Sequence, residues 1–208
     1  MNQKKQLLFP LFFFFLFSPI EAQKSAFRNE TPHELRAGIG IYPLAFEEWG
    51  CEEIYYNDYN YNYSPNYYAG DKVHSPSINL AYSYRLNYRF SFEANFSYAR
   101  TDQKYYDFYS DRRISKESQQ YFSIMPVVRL HWYTSRWISL YSSAGIGWYL
   151  YREASKPANW RQKRSENRLS GTFNYFGITV GKRLYGYTEL SVGTTGMVLI
   201  GVGYRLHK

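Results

Sequence analysis

The sequence predicts an all-β fold: an eight-stranded antiparallel transmembrane up-and-down β-barrel, with short periplasmic turns and longer extracellular loops. Three observations carry the prediction. Segments of about ten residues or more alternate strictly between large apolar and small polar side chains, so each reads as a strand with two unlike faces. Tight turns and long connections alternate along the chain. Beyond residue 22 no apolar run approaches the ~20 residues that a membrane helix needs, and mean hydropathy is negative. Barrel strands are only half apolar and escape such a scan.

Eight segments can be placed in order: Glu34–Leu44, Ser75–Leu86, Arg89–Arg100, Ser118–Tyr133, Arg136–Glu153, Arg168–Gly181, Leu184–Gly193 and Thr195–Leu206. Only Asn87-Tyr88, Thr134-Ser135 and Lys182-Arg183 separate strands two from three, four from five and six from seven. The other connections are long at Ala45–His74, Thr101–Glu117 and Ala154–Asn167, and short near Gly193-Thr194. An even strand number leaves both ends of the barrel on the short-turn side.

The third segment is the clearest. Phe90, Phe92, Ala94, Phe96 and Tyr98 share one face; Ser91, Glu93, Asn95, Ser97 and Ala99 share the other. In the second, Ile78, Leu80, Tyr82, Tyr84 and Leu86 oppose Asn79, Ala81, Ser83 and Arg85. In the fourth, Phe122, Ile124, Pro126, Val128, Leu130 and Trp132 oppose Ser123, Met125, Val127, Arg129 and His131. The fifth sets Ile138, Leu140, Ala144, Ile146, Trp148 and Leu150 against Ser139, Tyr141, Ser143, Gly145, Gly147 and Tyr149. The eighth sets Val198, Ile200, Val202, Tyr204 and Leu206 against Gly201, Gly203 and Arg205. Strands six and seven give no clean parity. Proline is normally rejected from a central strand, so Pro126 is expected at a bulge.

Charge decides which face meets lipid. On the clean strands the large apolar face carries no ionisable group but tyrosine. The opposite face carries Arg36, Arg85, Glu93, Arg129 and Arg205, and Glu189 is expected to join them. Under one charge per strand is too few for a water-exposed surface, as an apolar-inside soluble barrel would require. It fits a narrow bore filled by side chains, where carboxylates and guanidiniums pair. Aromatics make up 21% of the chain, with 24 tyrosines. Tyr84, Tyr88, Trp132, Tyr133, Trp137 and Tyr185 fall near the short turns and Tyr98, Trp148, Tyr149 and Tyr151 near the other ends, as two interfacial girdles would.

The chain has 208 residues. Residues 1–22 read as a cleaved signal peptide: Lys4 and Lys5, the apolar stretch Leu7–Phe17, then Ile20 and Ala22 at the −3 and −1 positions. Residues 23–33 then form a periplasmic segment and 34–208 the barrel. The single cysteine, Cys51, excludes an internal disulfide, and no zinc pattern occurs. Net charge is +8; the leader holds Lys4, Lys5 and Glu21, leaving +7. Export makes nucleic acid an unsuitable partner for that excess, and anionic lipid a suitable one.

The leader followed by Gln23, the Glu189-Leu-Ser-Val-Gly193 segment and the final Gly201-Val-Gly-Tyr-Arg-Leu206 together resemble small bacterial outer-membrane β-barrels of the OmpA, OmpX and OmpW type, especially the outer membrane beta-barrel domain proteins of Bacteroidetes. The resemblance spans roughly Glu34 to the C-terminus. It implies residence in the cell outer membrane and a last strand read by the barrel assembly machinery, with periplasmic chaperones in transit. Family members usually finish on an aromatic residue; Leu206 stands there, followed by His207-Lys208.

For function, the expectation is a structural or surface-interaction barrel working through its extracellular loops, in contact with outer-membrane lipid and lipopolysaccharide and with a glycan or protein ligand outside. Residues 57–68 form a Tyr/Asn-rich tract, the chemistry of flat contact area and adaptable hydrogen bonding. Its Tyr59, Tyr61 and Tyr63, with Trp160, Arg161, Lys163 and Arg164 of a basic loop, are the candidate contacts. The alternatives are a narrow small-solute channel along Arg85, Glu93 and Arg129, and a lipid-modifying enzyme. No catalytic site is assigned: His131 is the one strand histidine on the inward face, and it lacks both a His-x-Ser spacing and an obvious serine partner. No metal, nucleotide or other cofactor motif is present.

Overall fold

The structure, a computed structural model, describes residues 32–41, 67–156 and 164–206, and the side chains of all these except 67, 69, 155, 156 and 164. The strands are β1 (His33–Ile41), β2 (Tyr67–Ala69), β3 (Val73–His74), β4 (Ser77–Arg85), β5 (Phe90–Asp107), β6 (Arg113–Thr134), β7 (Ile138–Lys156), β8 (Arg164–Gly181), β9 (Leu184–Gly193) and β10 (Val198–Arg205). Eight of them form one antiparallel ring in the order β1-β4-β5-β6-β7-β8-β9-β10. It closes where β10 pairs with β1, from Glu34↔Arg205 to Ile41↔Val198. The short β2 and β3 pair along the upper part of β5.

Alternation sets the two surfaces. Ile39, Ile78, Phe92, Phe96, Ile146 and Ile200 point outward, each at least half exposed, whereas Met125, Arg129 and Tyr141 are almost completely enclosed. At the short-turn end, Asn87 Oδ1 accepts from the backbone N–H groups of Arg89 and Phe90, both at 2.8 Å, an Asx-type closure that holds the β4–β5 turn. Gly181 at φ +138° supplies the left-handed residue beside the β8–β9 turn.

Several sequence-based expectations need correcting. Pro126 makes no bulge. It pairs in register with Ala94 of β5, while the β6–β7 pairing lapses at Met125 and Pro126 and resumes at Val127↔Gly145 in the same register. The missing N–H thus interrupts the ladder without shifting it. The register irregularities lie instead at Tyr105/Tyr106, His131/Tyr133, Tyr141/Ser143 and Asn174/Phe176. Tyr185 and Tyr149 do not join the aromatic girdles: both point inward, 2% and 5% exposed, because parity outweighs proximity to a strand end.

The connection expected as a loop over Thr101–Glu117 is mostly strand, closed by the turn at 108–112. β5 to β8 are 18, 22, 19 and 18 residues long, against 8–10 for β9 and β10. Their outward apolar positions end at Tyr98, Phe122, Leu150 and Leu169. Beyond these the same face carries Arg100, Asp102 and Lys104, then Gln120, Ser118 and Lys116, then Arg152, then Asn167. The strands therefore rise about 15–25 Å past the apolar band as a polar wall, over one side of a lower rim formed by β1, β4, β9 and β10.

Candidate functional site

Two regions could carry function: the bore and the wall. In the bore, Arg36 on β1 is the hub. It donates through Nη1 to Glu93 Oε2 at 3.0 Å and through Nη2 to Glu189 Oε1 at 2.5 Å. Arg129 donates to the same Glu93 oxygen. Tyr141 donates its hydroxyl to Glu189 at 2.6 Å and accepts from Arg36 at 2.9 Å. Its ring lies under Arg129, whose Cζ is 4.6 Å from the centroid, while Tyr187 holds the Arg36 Cζ at 3.7 Å. β8 bears a glycine, Gly177, beside Tyr141, where a Cβ would overlap the ring. The two arginines and two glutamates balance in charge, and the side chains between them cross the bore.

A second pair sits nearer the short turns. Arg205 Nε reaches Glu34 Oε1 at 3.2 Å, and Tyr185 donates to Glu34 Oε2 at 2.8 Å. Arg205 also donates to the carbonyls of Gly181 and Lys182, tying the β8–β9 turn to the interior. Glu34 was missed in the sequence, although it shares strand parity with Arg36. Arg85 donates to Thr134 Oγ1 at 2.8 Å.

His131 does have serine neighbours: Nε2 lies 2.8 Å from Ser91 Oγ and Nδ1 lies 2.9 Å from Ser139 Oγ. Ser91 is 40 residues away in sequence, and only the β5–β6 register joins the two. Among the described residues no carboxylate orients this histidine, as a hydrolytic triad requires, and Ser91 is 2% exposed. Among the described residues no group of three or more His, Cys, Asp or Glu side chains could hold a metal.

On the wall, Asp102 faces outward between Arg100 at 3.0 Å and Lys116 at 3.1 Å. Partial burial raises its pKa, but those charged donors outweigh this and hold the carboxyl below the usual aspartate range. The inner face is lined by Tyr105, which donates to Glu117 at 3.0 Å, and Tyr121, which donates to Gln119 at 3.1 Å. Tyr151 donates to Glu153 at 2.9 Å; burial and that carboxylate push its pKa up. At the top, β2 delivers Tyr68, the last residue of the Tyr/Asn-rich tract, onto β5. Its ring stacks on Tyr106 at 5.5 Å, and its hydroxyl donates to Asp111. Tyr59, Tyr61, Tyr63, Trp160, Arg161 and Lys163 lie outside the described residues; Arg164 pairs through its backbone with Glu153.

An apolar outside, an inside of paired charged and polar side chains and a closed eight-stranded ring define the class: this is the architecture of the small outer-membrane β-barrels. Among solved structures the chain is similar to Ail, the attachment invasion locus protein of Yersinia pestis, at 15% identity. One structure, in complex with the heparin analogue sucrose octasulfate, aligns over 84% of this chain and 99% of that one at a TM-score of 0.45. A second aligns over 85% and 99% at 0.43. No family model and no curated protein matches.

Proposed function

We propose that this chain is an integral barrel of a bacterial outer membrane that acts by surface interaction, with its wall and loops contacting a glycan or protein ligand outside the cell. One observation carries the reading: the described end of the Tyr/Asn-rich tract is built by β2 into the top of the wall, above a bore crossed by paired charged side chains. In this reading residues 1–22 are the export leader, and the short turns face the periplasm. The outward cations Arg100, Lys104, Lys116 and Arg152 then stand just above the apolar band, where the anionic groups of lipopolysaccharide lie. The test is a glycan array and an outer-membrane pull-down with the refolded barrel. A companion variant replaces residues 57–66 by Gly/Ser of equal length and keeps Tyr67–Ala69. Binding that disappears only in the variant supports the proposal; equal binding, or none by either protein, overturns it. No observation favours transport or catalysis. Planar-bilayer conductance is expected at the lipid background, because the side chains fill the bore.

A further inference from the structure

The three short turns share a composition that the surface reading does not use. Arg89 lies in the first, Arg136 in the second, Lys182 and Arg183 in the third, and none contains Asp or Glu. The pairing of β7 with β8 sets two of these turns side by side: Gly181 N donates to Trp137 O at 2.8 Å, and on the next strand Arg205 N donates to Arg183 O at 2.9 Å. Arg136, Trp137, Lys182 and Arg183 therefore form one exposed cluster at the membrane edge. The Lys182 Nζ lies 4.2 Å from the centroid of the Trp137 ring, and the Arg183 Cζ lies 5.2 Å from that of Tyr204. Among the described residues none of the three cations has a carboxylate partner. Directly inward, Ile138, Val180 and Leu184 present apolar surface, each 39–68% exposed. From inside the barrel, Arg205 bonds the carbonyls of Gly181 and Lys182, which fixes the backbone that carries two of the cations.

We propose that this cluster is a binding site for an anionic phospholipid of the periplasmic leaflet, with the headgroup phosphate among Arg136, Lys182 and Arg183 and the acyl chains along Ile138, Val180 and Leu184. Rings and cations at one depth suit the boundary between headgroup and acyl chain. Several cations without an acid select net negative charge over a zwitterion. The proposal rests on the outer-membrane reading, and the test separates the two.

The full barrel is refolded into nanodiscs of equal phosphatidylcholine and phosphatidylglycerol, and retained lipid is counted by native mass spectrometry after mild detergent extraction. The expected result is a preference for phosphatidylglycerol on the order of tenfold. It falls to near parity in Arg136→Gln/Lys182→Gln/Arg183→Gln and stays in Arg112→Gln/Arg113→Gln, which removes exposed charge from the far tip of the wall, clear of the headgroups. Parity in the wild type, or equal loss in both variants, overturns the site. Single Lys182→Gln and Arg183→Gln variants decide the matter if the triple variant does not fold. Failure of the wild type to insert, read by heat-dependent gel mobility and protease shielding, overturns the outer-membrane reading itself.

Discussion

Glu93→Gln is the most informative single change. The Glu93 side chain is 4% exposed, and those of Arg36 and Arg129 are 2% exposed. Arg36 keeps Glu189 when Glu93 is neutralised, but Arg129 loses its carboxylate and is left over the Tyr141 ring. Breaking a buried pair by removing one partner costs about 3–5 kcal/mol, because the surviving charge stays desolvated. The lower end is expected here, since the amide still offers an acceptor and the ring still faces the guanidinium. At a urea slope of about 2 kcal/mol/M, 3 kcal/mol lowers the midpoint by roughly 1.5 M. The assay is equilibrium unfolding of the barrel in vesicles, followed by tryptophan fluorescence. Arg129→Met in the Glu93→Gln background should recover much of the loss, since it removes the orphaned charge. A single variant within about 0.5 kcal/mol of wild type, or strictly additive double-variant losses, would refute the reasoning.

Phe92→Arg places a charge on the middle of the apolar band and should cost about 2–4 kcal/mol in the same assay; a cost no larger than that of a loop change would mean the faces are inverted. Gly177→Ala drives a Cβ into the Tyr141 ring and should cost about 1–3 kcal/mol, measured as a lower midpoint. The depressed Asp102 pKa makes its contribution present above the unfolded aspartate value and lost as pH falls through the folded one. The stability gap between wild type and Asp102→Asn should therefore be constant above about pH 5 and close below it; a gap that widens in acid would contradict the ion-pair geometry.

Strand identity and facing are local, and they were legible in the chain. Phe90, Phe92, Phe96 and Tyr98 against Ser91, Glu93 and Asn95 record which side of one strand faces out of the ring, because the alternation needs no partner. The two-residue turns were legible for the same reason. Strand length was legible only for the part that crosses the apolar band. Above it, in β5 to β8, both faces are polar and the sequence between Thr101 and Glu117 resembles a loop; neighbouring backbone groups make it strand.

The sequence by itself determined an eight-strand barrel with aromatic and aliphatic side chains outward and sparse charges inward, since each strand carries that pattern in its own residues. Tertiary structure alone decided which charges meet. Arg36 bridges Glu93, 57 positions away, and Glu189, 153 away, while Glu34 meets Arg205, 171 away. It also brought Ser91 to His131, and set the turns of Trp137 and Lys182 side by side. These contacts follow from the stagger between strands and the closure of β10 onto β1, which belong to the whole ring and are written in no single strand.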